Sequence, residues 1–355
     1  MGILDKKMVN GIATYTVSKD ITDEATNKKG GLCLTPANSK NYTILHEDAD
    51  VYTEDGKVLL RFRKNVLPKK DMDIFYDNVI KFAKSHKTTN RGMATGTKKG
   101  KRKIAEGKGV ASNILGYMDT WTIQHKYMFS QVGMKEIKPS VRRSYFSQSN
   151  YENWVPMQSL VKHIDAQYKK LAPAQYAKQR TKADETYFKI KGTAFTTLTT
   201  NVNFNTCAHK DSGDDEEGLG NLVVLQRGDY EGGETCFIQY GVGVDVREGD
   251  FLLMDVHELH ANTKLVLKTK DSIRLSIVSY LRTGIWSKTR SMTQKQAKQH
   301  MSRIANFYHK IENKKATGTR KNDKKPKLVF FSDKFAESEH KMADDMEIIH
   351  NFFCK

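Results

Sequence analysis

Between Tyr187 and Leu281 the chain breaks into short runs rich in β-branched and aromatic residues: Tyr187–Ile190, Ala194–Phe204, Leu222–Gln226, Thr235–Tyr240, Val242–Val246, Phe251–Val256 and Ile273–Leu281. Turn-forming residues separate them, at Gly192, Gly218-Leu219-Gly220, Gly232-Gly233 and Glu248-Gly249-Asp250. Such runs are too short for ordinary helices and too regularly punctuated for a parallel α/β sheet. They predict a sandwich or barrel-like fold, in which two facing sheets forming a jelly roll (a double-stranded β-helix) would bring His209, Asp211 and His260 together at one open end. The flanks are different. Asp71 is an N-cap candidate for a helix carrying Phe75, Tyr76, Val79, Ile80 and Ala83 on one face. Leu160, Val161, Ile164, Tyr168 and Leu171 recur at helical spacing from about Met157, and Gln294 to Ile311 has a helical pattern. Val58–Arg63 has the composition of a strand. The expected class is α+β, a jelly-roll core with flanking helices. Residues 1–186 form an N-terminal region packed on the core, 187–286 the core itself and 287–355 a basic helical extension.

One end of that core carries chemistry. His209 and Asp211 are two residues apart in an extended stretch, so both side chains point to one face. A histidine follows the strand Phe251–Val256 at either 257 or 260. Two histidines and one carboxylate occupy one face of a metal and leave the opposite positions open, the donor set of non-haem Fe(II) oxygenases. A 2-oxoacid would chelate two of those positions and leave one for dioxygen. Its far carboxylate then needs a fixed cation. Arg274 is the candidate, because a guanidinium matches a carboxylate with two parallel hydrogen bonds. The alternative is a surface arginine on an edge strand, but Ile273, Leu275 and Ile277 mark a buried strand, where an unpaired arginine is costly. Ser276, two residues on, faces the same way. Asn203 and Asn221 are candidates either to position the cosubstrate or to satisfy backbone groups at strand ends.

The formal net charge is +18, which fits a polyanionic partner or a merely solvated lysine-rich surface. Clusters lie at Lys98, Lys99, Lys101, Arg102 and Lys103, within a glycine-rich stretch of 88–109, and between Lys314 and Lys327. The first is no Walker A loop, since Gly100-Lys101 is followed by arginine. No run is long and apolar enough to span a membrane, and Met1-Gly2-Ile3-Leu4-Asp5 lacks the apolar core of a signal peptide. Cys33, Cys207, Cys236 and Cys354 are far apart in sequence with no C-x-x-C pair. That predicts neither a zinc site nor a disulfide framework, and an intracellular, reducing setting.

The stretch from Gly192-Thr193-Ala194-Phe195-Thr196-Thr197 to Arg274-Leu275-Ser276-Ile277-Val278-Ser279-Tyr280 resembles the TET/JBP group of Fe(II)- and 2-oxoglutarate-dependent DNA-base dioxygenases. Within it lie His209-Lys210-Asp211-Ser212-Gly213-Asp214, Gly220-Asn221-Leu222, Gly228-Asp229-Tyr230-Glu231-Gly232-Gly233 and Asp255-Val256-His257-Glu258-Leu259-His260-Ala261-Asn262. A weaker similarity covers Asn90-Arg91-Gly92-Met93-Ala94. The chain is most similar to the compact members found in bacteriophages and other viruses. The resemblance implies Fe(II) on His209, Asp211 and the second histidine, His260, with 2-oxoglutarate on Arg274 and Ser276. It implies oxidation, with dioxygen, of the methyl group of a 5-methylpyrimidine in DNA, and no obligatory protein partner. The compartment would be the host cytoplasm for a phage-encoded chain, or the nucleus for a eukaryotic virus or host.

A base inside a duplex is out of reach, so it must be flipped into the pocket. The basic loop near 98–103 and the basic tail near 314–327 would then hold phosphates. Tyr240, Phe146 and Trp154 are candidates to stack on the base. Asp214, three residues past the carboxylate ligand, either contacts the base or caps the acidic turn Asp214-Asp215-Glu216-Glu217. As an ionised acceptor it suits cytosine N4 and opposes thymine O4. That points to 5-methylcytosine, with 5-hydroxymethylcytosine as first product and further oxidation left open. The alternatives are a thymine hydroxylase forming 5-hydroxymethyluracil and a protein or small-molecule hydroxylase on the same scaffold.

Overall fold

The computed structural model describes residues 2–22, 31–88, 91–96 and 109–317, with side chains to residue 313. The basic loop near 98–103 and the tail beyond 317 lie outside the described residues. Two sheets organise the rest. The larger has ten strands in the order β1 (Ile3–Val9), β2 (Ile12–Val17), β4 (Ala49–Thr53), β5 (Val58–Arg63), β13 (Phe251–Met254), β9 (Gly220–Arg227), β16 (Ile273–Tyr280), β8 (Thr197–Val202), β6 (Ser112–Met118) and β7 (Arg142–Arg143). The smaller has four, β14 (His260–Asn262), β11 (Thr235–Phe237), β12 (Val242–Val244) and β3 (Thr43–Leu45). A two-stranded ribbon joins β10 (Tyr230–Glu231) to β15 (Val266–Leu267).

The chain visits the larger sheet at β8, β9, β13 and β16, and the smaller at the His209 segment, at β11 and β12, and at β14. This alternation is the winding of a double-stranded β-helix. It explains why the core strands have no polar face. In β9, Val223 and Leu225 face one apolar cluster while Leu222 and Val224 face another. In β13, Phe251 and Leu253 divide from Leu252 and Met254 in the same way. The first cluster is roofed by the helices Lys69–Ser85 and Tyr151–Leu171, through Phe75, Val79, Leu160 and Ile164. The second fills the space between the sheets, with Phe237, Val242 and Val244 opposite.

β8 and β16 break this symmetry. Leu275 and Ile277 join the helix-side core, so period-two alternation turns Arg274 and Ser276 into the space between the sheets. Asn201 lies level with Ser276 across the β8–β16 pair, and Ser112 of β6 lies level with Asn201. One half of the interior is therefore oily and the other lined with polar side chains. The site lies in the polar half.

Local boundaries differ from expectation. The helix assigned to Asp71 begins at Lys69 behind Pro68, since proline fixes an extended φ at a helix entry without needing a donor. Tyr187–Ile190 is not a strand. Ile190 N–H donates to Phe195 O, Thr193 N–H donates to Ile190 O, and Gly192 has φ of 78°. That local turn removes the ladder partners a strand would need.

Candidate metal centre

His209 and His260 face each other through a two-way backbone bridge. His209 N–H donates to His260 O and His260 N–H to His209 O, each at 3.0 Å. β14 is held in register by β11, with Phe237 opposite His260. Asp211 is anchored from the other side, its N–H donating to Val256 O at 3.0 Å. Three local constraints thus bring together side chains that are 51 residues apart in sequence at most. One ligand atom from each of His209, Asp211 and His260 lies within 4.8 Å of the others.

The two rings are oriented alike. His209 Nδ1 lies 2.8 Å from Cys207 O, and His260 Nδ1 lies 2.9 Å from Glu258 O. A carbonyl only accepts, so each Nδ1 carries the proton and each Nε2 is left with a lone pair. His260 is buried, and burial, with the neighbouring His209, pulls its pKa down to about 4. It is proton-free at neutral pH, as a metal ligand must be. His257 points elsewhere. Its N–H donates to Asp255 Oδ1 and its Nε2 lies 3.4 Å from Asp215 O. The donor set, the free Nε2 atoms and the open geometry fit a divalent metal.

Arg274 fits the cosubstrate. It is 3% exposed, and among the described residues its guanidinium donates from a terminal nitrogen to Gly233 O at 3.1 Å. Among the described residues its Nε has no hydrogen-bond partner, and the nearby Tyr230 hydroxyl is likewise buried without one. Burial holds the guanidinium below its ordinary range, opposed by Tyr230 and more weakly by Asp245, while Arg247 adds to the depression. No carboxylate hydrogen-bonds Arg274 among the described residues, so this buried cation is only partly compensated. A ligand carboxylate reaching Arg274 Nε and the Tyr230 hydroxyl would supply the missing charge and acceptors. Gly233 stands beside this pocket at φ of 80°, and a Cβ there would sit 3.1 Å from Arg274 Nε. Tyr230 was not singled out by sequence, because a two-residue strand after Gly228 gives no periodic signal.

Ser276 Oγ accepts from Asn201 Nδ2 at 3.4 Å, Ser112 Oγ donates to Asn201 Oδ1 at 2.5 Å, and Arg91 Nε donates to Ser112 Oγ at 2.7 Å. This polar row reaches the metal ligands, for Arg91 lies within electrostatic range of Asp211 and Tyr280. Arg91 is a second residue that sequence reasoning left without a role. Its position depends on a loop docking against β6, which no local pattern announces.

Asp214 is half-buried, and its carboxyl makes no hydrogen bond among the described residues. Its backbone is fixed by a bridge to Arg282 and by Thr283 Oγ1, which donates to Asp214 O at 3.0 Å. Burial first, and Asp211 second, push its pKa well above the carboxylate range, against Arg282. Asn221 and Asn203 resolve to their backbone roles. Asn221 Nδ2 donates to Ser279 O and its Oδ1 accepts from Ser279 N–H. Asn203 Oδ1 accepts from Arg274 N–H at 2.7 Å and its Nδ2 donates to Ser272 O.

Two expectations are corrected. Tyr240, Phe146 and Trp154 are 2%, 1% and 5% exposed. Phe146 and Trp154 belong to the helix-side core, and Tyr240 donates to Glu258 Oε1 within the inter-sheet core, so none is free to stack on a base. Cys33 and Cys207 form a disulfide across a sequence separation of 174, against the expectation of unpaired cysteines. Distance along the chain did not predict distance in space. Among the described residues no helix is long and apolar enough to cross a membrane.

Residues 127–283 match the Tet_JBP family profile, the oxygenase domain of the 2OGFeDO superfamily. The chain is 34% identical over 195 residues to the bifunctional helicase and thymine dioxygenase JBP2 of Leishmania braziliensis, covering 54% of this chain and 16% of that protein. It is 31% identical over 225 residues to the thymine dioxygenase JBP1 of Trypanosoma brucei brucei, covering 62% of this chain and 25% of that one. The chain thus spans a quarter or less of these relatives. Among solved structures, NgTET1 in complex with 5mC DNA aligns with a TM-score of 0.46 at 14% identity, over 76% of this chain and 94% of that one.

Proposed function

We propose that the chain, whose residues 127–283 match the Tet_JBP oxygenase-domain profile, is an Fe(II)- and 2-oxoglutarate-dependent dioxygenase that hydroxylates the methyl group of a 5-methylpyrimidine in DNA. The carrying observation is the pairing of an open His209–Asp211–His260 ligand set with a buried Arg274 that no carboxylate hydrogen-bonds among the described residues and that is turned into the space between the sheets. Iron bound by these three residues would supply dioxygen activation coupled to oxidative decarboxylation of 2-oxoglutarate to succinate. The protein's own part is positional. Cys207 O and Glu258 O hold the two imidazoles in their ligating tautomer. Arg274 and Tyr230 receive the distal carboxylate, with Ser276 on the same strand face. The apolar half of the interior, from Leu222, Val224 and Leu252, keeps bulk water from the reacting centre.

Two observations bear on the base. An ionised Asp214 accepts from cytosine N4, which supports 5-methylcytosine. The enclosure that raises its pKa also supports a protonated carboxyl, which donates to thymine O4. The thymine dioxygenases among the relatives favour that second reading. The test is incubation with duplexes carrying 5-methylcytosine or only unmodified bases, with Fe(II) and 2-oxoglutarate, followed by nucleoside mass spectrometry. 5-Hydroxymethylcytosine supports the first reading and 5-hydroxymethyluracil the second. Succinate release stimulated by neither duplex would reject a DNA base as substrate. An Asp214→Asn substitution, which offers both donor and acceptor, should narrow the preference between the two bases.

A further inference from the structure

The Cys33–Cys207 disulfide lies at the back of the ligand loop. Cys207 is the residue whose carbonyl holds His209 Nδ1 at 2.8 Å. Its N–H donates to Ala94 O at 2.9 Å, and the next residue, Ala208, exchanges backbone bonds with Gly31 and Leu32 at 2.7 Å each. A Cβ on Gly96 would lie 3.1 Å from Cys33 Sγ and 3.6 Å from Cys207 Sγ. The crosslink ties residues 31–33 to the loop leading to His209, and the turn Gly92–Thr95 that follows Arg91 packs beside it through Ala94 O. Cys33 is exposed and Cys207 buried, so one sulfur of the pair is open to solutes.

We propose that Cys33 and Cys207 are a redox modification site that controls how firmly His209 holds the metal. A hydroperoxide is a sufficient oxidant. The exposed Cys33 thiolate attacks a peroxide oxygen, which forms a sulfenic acid and expels hydroxide. The Cys207 thiolate then displaces the second hydroxide from Cys33 sulfur, closing the S–S bond. Two thiols lose two protons and two electrons, and hydrogen peroxide becomes two waters. A dithiol reverses the step by exchange, attacking first at the exposed Cys33 sulfur. With the bond open, Cys207 keeps its backbone bonds but loses its covalent tie to residues 31–33, and the carbonyl that sets the His209 tautomer is held less firmly. Loss of such an outer partner weakens metal binding about 10- to 100-fold. The inference rests on the metal-site reading above and is independent of which base is oxidised.

The experiment uses the full chain, freed of metal, either oxidised with one equivalent of hydrogen peroxide or reduced with dithiothreitol and desalted. Free thiols are alkylated, the protein is proteolysed without reduction, and Co(II) affinity is measured in parallel from its visible absorption. The expected result is a Cys33–Cys207 linked peptide after oxidation and Co(II) binding about tenfold tighter than in the reduced protein. Cys33→Ser, at an exposed position, should bind at the reduced value under both treatments. A linked peptide of different pairing, no linked peptide, or equal affinities in the two states would each overturn the inference while leaving the metal site in place. Absence of Co(II) binding in both states would instead remove the metal-site reading and this inference with it.

Discussion

Arg274→Met separates two effects that usually move together. Methionine keeps much of the aliphatic volume against Leu265 and Gly233 and removes the charge. In the protein without cosubstrate the loss among the described residues is the 3.1 Å bond from the charged guanidinium to Gly233 O, worth about 1.5–3 kcal/mol. Gly233 O is not orphaned by it, since Asn262 Nδ2 still donates to it at 3.0 Å. Against that loss stands relief from burying a cation without a carboxylate, which amounts to several kcal/mol. The net expectation is unchanged or higher stability, a gain of about 1 kcal/mol raising Tm by roughly 2–4 °C. Cosubstrate binding moves the other way. Removing one partner of a buried charge pair costs about 2–4 kcal/mol, or roughly 30- to 1,000-fold in affinity. Thermal unfolding without 2-oxoglutarate, paired with its calorimetric titration in the presence of Mn(II), measures both. Arg274→Lys should lie between, because an ammonium keeps the charge and loses the fork. A variant that melts well below wild type, or that binds 2-oxoglutarate within threefold of it, would refute the assignment of Arg274 as an anion receptor.

Three further outcomes follow from the geometry. His260→Gln should abolish Co(II) binding while His257→Gln leaves it within about threefold, well below the loss expected for an outer partner of a ligand, because the His257 ring is turned to Asp215 O; equal losses would show that the distal ligand is misassigned. His300 is 3% exposed, with its pKa lowered by burial and Nε2 held 2.7 Å from Val141 O. Below about pH 6.5 the unfolded histidine therefore binds a proton that the folded one refuses, and wild type loses up to about 1.4 kcal/mol per pH unit. His300→Gln escapes this, so denaturant titrations at pH 7.5 and 5.5 should find the stability gap between the two proteins narrower at the lower pH, and a constant gap would contradict a neutral buried ring. Gly232→Ala places a Cβ on Lys264 O at a φ of 73°, which should cost more than about 2 kcal/mol and weaken 2-oxoglutarate binding through the adjacent Gly233; a variant with wild-type stability and affinity would free the turn of any part in the cosubstrate pocket.

What could be read from the chain alone was whatever depends on local periodicity. His209 with Asp211, and Arg274 with Ser276, are pairs at i and i+2 on extended backbone, so their shared faces follow from strand geometry. The choice between His257 and His260 does not. Both follow the same strand, and the pairing of β14 with β11, a contact between distant segments, decides it. Aromatic residues show the same limit from the other side. Phe146 and Trp154 are apolar enough for a base platform or a core, and only the placement of their helices against β6 and β13 sends them inward.

The residues that escaped notice share a cause as well. Tyr230 and Arg91 reach the site from a two-residue strand and a short 3-10 turn, elements too brief to carry a period. Cys33 and Cys207 meet because the segment at 31–33 bridges to Ala208. A core strand must satisfy its own ladder, and that demand is written into its alternation. A site also needs groups delivered by turns, whose backbone bonds go to whatever happens to be close, as Gly233 O goes to both Arg274 and Asn262. The candidate ligands His209 and Asp211, which share an extended face, were therefore visible in sequence, whereas the choice of His260 and the groups around the candidate site became visible only once the turns and the β11–β14 pairing were placed.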